Sequence, residues 1–287
     1  MTIAQVNFLI IGNYNAFFES RVHPYLSNFT SVPDIIVYCR IVSTIERPIG
    51  KVITKRNDRT FYYSENGGYS YYHSFEDSDQ PFLDVQFCSS TIFIKILDFA
   101  GNPQFDFTYP VLNATDEAIR YPLLQFDSIV LHASAIAYQN QGIAFSAPSG
   151  TGKTTQTSLW LDNTEATLVN DDSPIIRLID GTPTLFGSPW AGSTGMNTNM
   201  CVPLKAIVFI EQNDFNTIEK LNSQQVLQRI LTEVVKPKDR DLLEKTIDIL
   251  GLVIARTDCY LLKCTPDIDA MKLVKKTLFS KKISSIA

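Results

Sequence analysis

A glycine-rich stretch between an apolar run and a helical pattern constrains this sequence more than any other feature. Residues 141–146 (QGIAFS) predict a buried strand, and residues 154–161 predict a helix. Between them, residues 147–154 (APSGTGKT) follow the pattern Gly-x-x-x-x-Gly-Lys-Thr, with Ala147 in place of the first glycine. In such a turn, backbone N–H groups converge at a helix N-terminus, which suits a phosphate chain. An ordinary turn would explain the two glycines but not the Lys-Thr pair after them.

The turn predicts a nucleotide site made of consecutive residues. Lys153 would reach the terminal phosphates, and the Thr154 hydroxyl would take a place on Mg²⁺. We therefore expect ATP, or another nucleoside triphosphate, together with Mg²⁺. The predicted nucleotide-binding residues are Ser149, Gly150, Thr151, Gly152, Lys153, Thr154 and Thr155.

An acidic pair and a histidine accompany this turn. Residues 168–170 predict a short strand that ends in Asp171 and Asp172, and strand ends of this kind hold ligands in open α/β sheets. Because Ser173-Pro174 follows, the pair also suits a solvated turn. His132 lies at the end of an apolar run upstream, a position where a lone histidine is more often structural than catalytic.

Three motifs in this order resemble a known family. They are residues 131–136 (LHASAI), 149–155 (SGTGKTT) and 169–172 (VNDD). They resemble the catalytic domain of HPr kinase/phosphorylase and its relatives, the phosphoenolpyruvate carboxykinases and the HPr-kinase-like serine kinases of peptide-modification systems. The pattern is closest to the serine kinases and covers about residues 125–280. A carboxykinase is not expected, because its further sites need a far longer chain.

The resemblance implies a P-loop catalytic domain and a role for each matching residue. Asp171 matches a general acid/base, and His132 matches a histidine beside that aspartate. Lys153 completes the catalytic set, while Thr154 and Asp172 match metal ligands. The implied activity is Mg²⁺- and ATP-dependent transfer of the terminal phosphoryl group to a hydroxyl, serine above all. The acceptor stays open among a peptide, a protein and a small metabolite.

A second class of function stays open beside the kinase. A nucleotide-binding regulatory or scaffold protein without turnover would also carry this turn, and Ala147 mildly favours it. The small-residue stretch 187–195 (GSPWAGSTG) is too long for a simple turn, and long loops of this kind are often functional. A similar segment follows the acidic pair in the family named above, which implies an active-site loop.

The first part of the chain has a different pattern. Short runs rich in β-branched and aromatic residues predict strands joined by turns at 66–68, 76–79 and 101–103. We expect a β-rich domain at residues 1–112, with an antiparallel sheet of several hairpins, and an α/β catalytic domain at 113–287 (α+β overall). The aromatic stretch 61–75 predicts a strand with one exposed aromatic face, or a docking surface for a polypeptide or a second copy of the chain. The predicted strands are residues 6–11, 35–39, 60–63, 83–87 and 91–97.

Several elements of the second domain are also predicted. Residues 113–126 suggest a connecting helix with Thr115 as N-cap and a kink at Pro122. Apolar runs and helical periodicity give the rest. The predicted strands are residues 175–178, 184–186, 204–210 and 259–263, and the predicted helices are residues 223–235, 240–251 and 267–279.

Composition excludes several classes of function. The net charge is −5 and basic residues form no long run, so binding to nucleic acid or to an anionic membrane is not expected. The five cysteines lack metal-ligand or disulfide spacing. No apolar run reaches the length of a membrane span, and no secretory signal is evident. We therefore expect a cytoplasmic protein, either alone or as a homo-oligomer.

Overall fold

A computed structural model gives the fold of residues 1–12, 16–28, 31–47, 49–56, 59–64, 68–74, 80–98, 108–192 and 194–280. Helices hold 28% and strands 41% of the residues, so the expected mixed α/β class is confirmed. No helix in the described ranges is long and apolar enough to cross a membrane. The turns predicted at 66–67, 76–79 and 101–103, together with Phe75 and Ser193, lie outside those ranges.

The chain divides into two compact units, residues 1–128 with 236–247 and residues 129–235 with 248–287. The first unit continues past residue 112, where the sequence suggested a domain boundary, and includes a segment from far along the chain. Its helices are α1 (Ala16–Val22) and α2 (Thr108–Ile119). Its strands are β1 (Thr2–Ile3), β2 (Val6–Gly12), β3 (Ile35–Val42), β4 (Gly50–Arg56), β5 (Arg59–Ser64), β6 (Tyr69–Ser74), β7 (Pro81–Cys88) and β8 (Thr91–Leu97).

These strands form one sheet in the order β1-β2-β3-β8-β7-β6-β5-β4. Strands β4 to β8 pair as successive antiparallel hairpins, as predicted. The expectation of a purely antiparallel sheet is wrong, because β2 pairs parallel to β3 and β3 pairs parallel to β8. Parallel pairing needs a long crossover, and the hairpins between β3 and β8 supply it.

The connecting helix begins earlier than predicted. Helix α2 ends at Ile119, and a 3-10 helix follows at Pro122–Phe126, so the predicted interruption at Pro122 is observed. Thr115 is not an N-cap. It is buried inside α2, where its hydroxyl donates to the carbonyl of Leu112. Asp116 correspondingly lies near the end of the helix and pairs with Arg120.

The predicted exposed aromatic face is absent from the described residues. Four of the aromatic side chains between residues 61 and 72 are at most 8% exposed: Phe61, Tyr62, Tyr71 and Tyr72. The ring of Tyr71 lies 6.4 Å from that of Tyr121, which follows α2. Alternation along the strand therefore buries aromatic rings on both faces of the sheet, and Tyr63 is the only exposed one among the aromatic side chains described in this stretch.

The second unit holds a nine-stranded sheet, and four further helices of the described chain lie wholly or partly in it. Helix α5 contributes residues to both units. The helices are α3 (Lys153–Asn163), α4 (Ser223–Ile230), α5 (Arg240–Arg256) and α6 (Ile268–Phe279). The strands are β9 (Ser128–Val130), β10 (Ala133–Tyr138), β11 (Gln141–Ser146), β12 (Thr167–Asn170), β13 (Ile175–Ile179), β14 (Thr182–Phe186), β15 (Cys201–Gln212), β16 (Thr217–Lys220) and β17 (Asp258–Cys264). The helix predicted at 223–235 ends at Ile230, and the one predicted at 240–251 extends to Arg256.

Strand directions bring several chain segments to one edge of this sheet. The order is β12-β10-β11-β15-β14-β13-β9, and β17 pairs with β15 and β16. Strands β11, β15 and β17 are mutually parallel. Strand β12 runs in the same direction as β11, because β10 lies between them and is antiparallel to both. The carboxyl ends of these four strands, and the start of β10, therefore share one edge, the usual ligand edge of such sheets.

Helix α3 packs behind this edge through one buried face. Its buried positions are Lys153, Gln156, Thr157 and Trp160, spaced as one face of a helix. Trp160 is fully buried in a core with Phe145 of β11 and Val274 of α6. This packing holds the N-terminus of α3 directly after β11.

Candidate functional site

The turn between β11 and α3, here called the glycine loop (residues 147–154), has a backbone that only glycine adopts readily at two positions. Gly150 has φ +78° and Gly152 has φ +119°, both in the left-handed region. A Cβ at either glycine would meet no atom within 4 Å, so the glycines serve the backbone conformation and the space beside them is open. Ala147 does not have a positive φ, and its methyl group is buried in the core. Replacement of the first glycine therefore leaves the loop intact.

Replacing Gly152 with alanine is expected to destabilise the fold by roughly 1–2 kcal/mol, because an L residue is strained at this φ. Gly251 is the matched control. It lies inside α5 without a positive φ, and its Cβ position is open. Gly251→Ala should stabilise by about 1 kcal/mol through helix propensity. Urea unfolding of both variants tests this, and equal effects would show that the loop carries no strain at Gly152.

Lys153 is the first residue of α3 and is 8% exposed. Its ammonium donates to the carbonyl oxygen of Ala147 at 2.7 Å and contacts Nε2 of His132 at 3.0 Å. Burial lowers the pKa of Lys153, while the charges of Asp172 and Glu233 act against that shift. The lysine is thus folded back across the glycine loop toward His132.

His132 lies between β9 and β10, with three polar partners around its ring. Nδ1 is 2.8 Å from Oε2 of Glu233, and Nε2 is 3.5 Å from Oδ1 of Asp172. The bond to Asp172 is the main cause that raises the pKa of His132; burial opposes it and Glu233 adds to it. Nε2 accepts from Lys153 when the imidazole is neutral and donates toward Asp172 when it is charged. The contact to Lys153 is the shorter one, so in this arrangement we assign the proton to Nδ1, facing Glu233.

Asn170 shapes the turn that separates the two aspartates. Its side-chain oxygen accepts from the backbone N–H of Asp172 at 2.8 Å and of Ser173 at 2.6 Å. Its amide nitrogen donates to the carbonyl of Ser188 at 2.9 Å. Asn170 is fully buried. Its amide oxygen and its amide nitrogen together hold the end of β12 against Ser188.

The two carboxylates have different surroundings. Oδ1 of Asp171 accepts from the N–H of Gly192 at 2.6 Å, and Oδ2 pairs with the hydroxyl of Thr194. Asp171 is 6% exposed, whereas the side chain of Asp172 is 41% exposed beside His132. Gly192 and Thr194 therefore lie against Asp171, and the side chain of Asp172 stays partly exposed.

His132 contacts the second aspartate of the acidic pair, whereas the family resemblance implied the first. No hydrogen bond or ion pair joins His132 to Asp171 within the described part of the chain; the aspartate beside the ring is Asp172. The reason is the turn at Asn170, which sends successive side chains in different directions, Asp171 to the loop and Asp172 to the histidine.

The remaining predicted residues lie along the glycine loop. The Thr154 side chain is exposed, as is that of Thr155 after it. No group of three His, Cys, Asp or Glu side chains suited to a metal ion occurs in the described ranges. Mg²⁺ does not require one, since it is usually held by one or two carboxylates with substrate phosphates and water. The exposed Thr154 hydroxyl and Asp172 carboxylate fit that mode of binding.

Glu233 was missed by the sequence analysis. It lies beyond the end of α4, is 7% exposed, and meets His132 twice, through its carboxylate and through its carbonyl, which accepts from the His132 N–H at 2.9 Å. The Thr232 hydroxyl donates to the other carboxylate oxygen at 3.0 Å. No local pattern marks this residue, because it is far from His132 in the sequence.

No family model matches the sequence, and no curated protein matches it.

Proposed function

We propose that the chain is a Mg²⁺- and ATP-dependent kinase with an HPr-kinase-like P-loop domain, which phosphorylates a hydroxyl of a peptide, a protein or a small metabolite. One observation carries this proposal. Lys153, at the N-terminus of α3, contacts His132, and His132 in turn contacts Asp172 at the carboxyl edge of the sheet. Such an edge with an open glycine turn favours phosphate binding.

Each residue has a task in this proposal. The amides of the glycine loop and the ammonium of Lys153 would hold the phosphates. Thr154 and Asp172 would hold Mg²⁺, whose charge offsets that of the phosphates. Lys153 would exchange its bonds to Ala147 and His132 for phosphate oxygens, since its low exposure keeps it at the loop. With Lys153 withdrawn, Nε2 of His132 would be able to take up a proton, and the charged imidazole would then donate to Asp172.

Asp171 would act as the general base. The acceptor oxygen forms a bond to the terminal phosphorus while the bond to the bridging oxygen breaks, and that oxygen leaves with the electron pair on the nucleoside diphosphate. The acceptor proton goes to a carboxylate oxygen of Asp171. The bonds from Gly192 and Thr194 orient that carboxylate.

A binding protein without turnover is the second candidate, and one observation favours it. Both oxygens of Asp171 already accept hydrogen bonds, and the side chain is 6% exposed. A carboxylate has about four lone-pair positions, so two bonds leave capacity for an acceptor proton. The two candidates differ in turnover and agree in nucleotide binding.

MgATP is expected to stabilise the protein by about 2.7 kcal/mol at one hundred times its dissociation constant. For a chain of this size the melting temperature should rise by roughly 2–4 °C. Lys153→Ala should remove most of the shift, because the ammonium at the loop is lost. Lys220→Ala is the control, since Lys220 is exposed and paired with Asp258. A thermal melt with and without nucleotide measures this, and no shift with any Mg-nucleotide would contradict the proposal.

A further inference from the structure

A cavity of about 640 Å³ opens beside the glycine loop. One wall is the loop with the first turn of α3, and the other is formed by the ends of β15 and β17 and the residues that follow them. Its volume falls within the usual range of small-molecule sites. The lining residues are 150–152, 155, 156, 210, 212–214 and 264–266.

The charge of the lining indicates which part of a nucleotide fits there. Among the described residues that line the cavity, Asp214 is the single charged one, and none is a lysine or an arginine. Phosphates are therefore not favoured inside it. Lys153, His132, Asp171 and Asp172 do not line the cavity either. The cavity beside the glycine loop thus contains no lysine or arginine among its described lining residues, and the cluster of Lys153, His132, Asp171 and Asp172 lies outside it.

Among the described residues of the cavity wall, one buried side chain carries an oxygen atom without a hydrogen-bond partner. Gln156 is 2% exposed and lines the cavity. Its Nε2 donates to Sγ of Cys264 at 3.5 Å, while its Oε1 has no partner in the described part of the chain. Such an oxygen is normally satisfied in a folded protein, so an N–H donor from a ligand would complete it. Gln212 lies on the opposite wall, and its Nε2 reaches across to the carbonyl oxygens of Gly150 and Thr151 at 3.5 Å.

We propose that this cavity is the nucleoside subsite of the donor and that it selects a base with an amino group. The amino group of adenine donates to Oε1 of Gln156, and the ribose hydroxyls donate to the exposed carboxylate of Asp214. The phosphates run from the cavity along the glycine loop to Lys153. The acceptor hydroxyl consequently enters from the side of Asp171 and the 187–195 loop. This inference rests on the proposed function.

Calorimetric titration of the full chain with four Mg²⁺-loaded ligands tests the subsite. MgATP should bind at least 10-fold more tightly than tripolyphosphate, which has no nucleoside. Purine riboside triphosphate, which lacks the amino group, should bind about 3- to 10-fold more weakly than ATP, the usual size of one neutral hydrogen bond. 2′,3′-Dideoxy-ATP, which lacks the hydroxyls that face the Asp214 carboxylate, should bind at least about 10-fold more weakly, because hydrogen bonds to a charged group are stronger. Tripolyphosphate binding as tightly as ATP would overturn the subsite.

Two variants assign the contacts. Gln156→Leu should abolish the preference for ATP over purine riboside triphosphate. Asp214→Ala should abolish the preference for ATP over dideoxy-ATP. Tripolyphosphate binding should not change in either variant. Asp214 is exposed, so that variant keeps the test available if the buried Gln156→Leu substitution disturbs folding. Equal weakening of ATP and tripolyphosphate would overturn the separate subsite. Failure of both ligands to bind the unmodified chain would instead overturn the proposed function and this inference with it.

Discussion

Asp171→Asn is expected to lower turnover by about 10²–10⁴-fold while leaving nucleotide affinity nearly intact, because a general base is lost. The amide keeps the size of the carboxylate and can still accept from Gly192. Asp172→Asn should instead weaken Mg²⁺-dependent nucleotide binding, since it removes the exposed charge beside His132 that we propose as a metal ligand. We therefore expect a defect in turnover from the first substitution and a defect in nucleotide binding from the second.

The measurement combines two assays on the same preparations. Label from γ-labelled ATP is followed into serine-containing peptides and into free phosphate, and MgATP affinity is titrated in parallel. Asp162→Asn removes a charge from an exposed position of α3 and is the control. Unchanged turnover in Asp171→Asn would exclude this residue as the base. Equal loss of MgATP binding in both variants would indicate that the two aspartates share one role as metal ligands.

Local signals made the centre of the second unit predictable. The strand β11, the glycine loop and α3 are consecutive, and each is specified by its own residues: an apolar run, two glycines, and a helical stripe that ends in Trp160. The acidic pair was placed at the end of β12 for the same reason. Asn170 before it and Ser173-Pro174 after it are strong turn signals.

Contacts between distant segments were not predictable in this way. The sequences of β2, β3 and β8 alternate similarly whether they pair parallel or antiparallel, so periodicity does not determine their direction. Whether the aromatic residues of β5 and β6 are exposed depends on what packs over the sheet, which their sequence does not contain. Glu233 meets His132 only because the fold brings the end of α4 to the start of β10.

Glu233→Gln is expected to lower turnover by about 10–100-fold, the usual effect of removing a partner that orients a functional histidine. The amide keeps the size of the side chain and loses its charge. Oε2 lies 2.8 Å from Nδ1 of His132, and Oε1 is held by Thr232. The pKa of His132 should fall, because Glu233 is one of the groups that raise it. A shift of the pH profile separates this effect from simple loss of packing.

The sign of the stability effect follows from the direction of the His132 pKa shift. A pKa raised in the folded state means that protonated His132 stabilises the fold below the unfolded-state pKa of about 6.5. That contribution is lost as the pH rises through the folded-state pKa. The difference in unfolding free energy between the natural chain and Glu233→Gln should therefore be larger at pH 6 than at pH 9. Asp172 still faces Nε2 in the variant and retains part of the shift.

Proton NMR measures this pKa directly, since the chain has only three histidines. Glu211→Gln is the control, because Glu211 pairs with Arg229 in a partly exposed ion pair of the same unit, and such pairs contribute little to stability. It should leave the His132 titration and the turnover unchanged. An unaltered His132 titration in Glu233→Gln, together with reduced turnover, would show that Glu233 supports the site through packing rather than by holding the histidine proton at Nδ1.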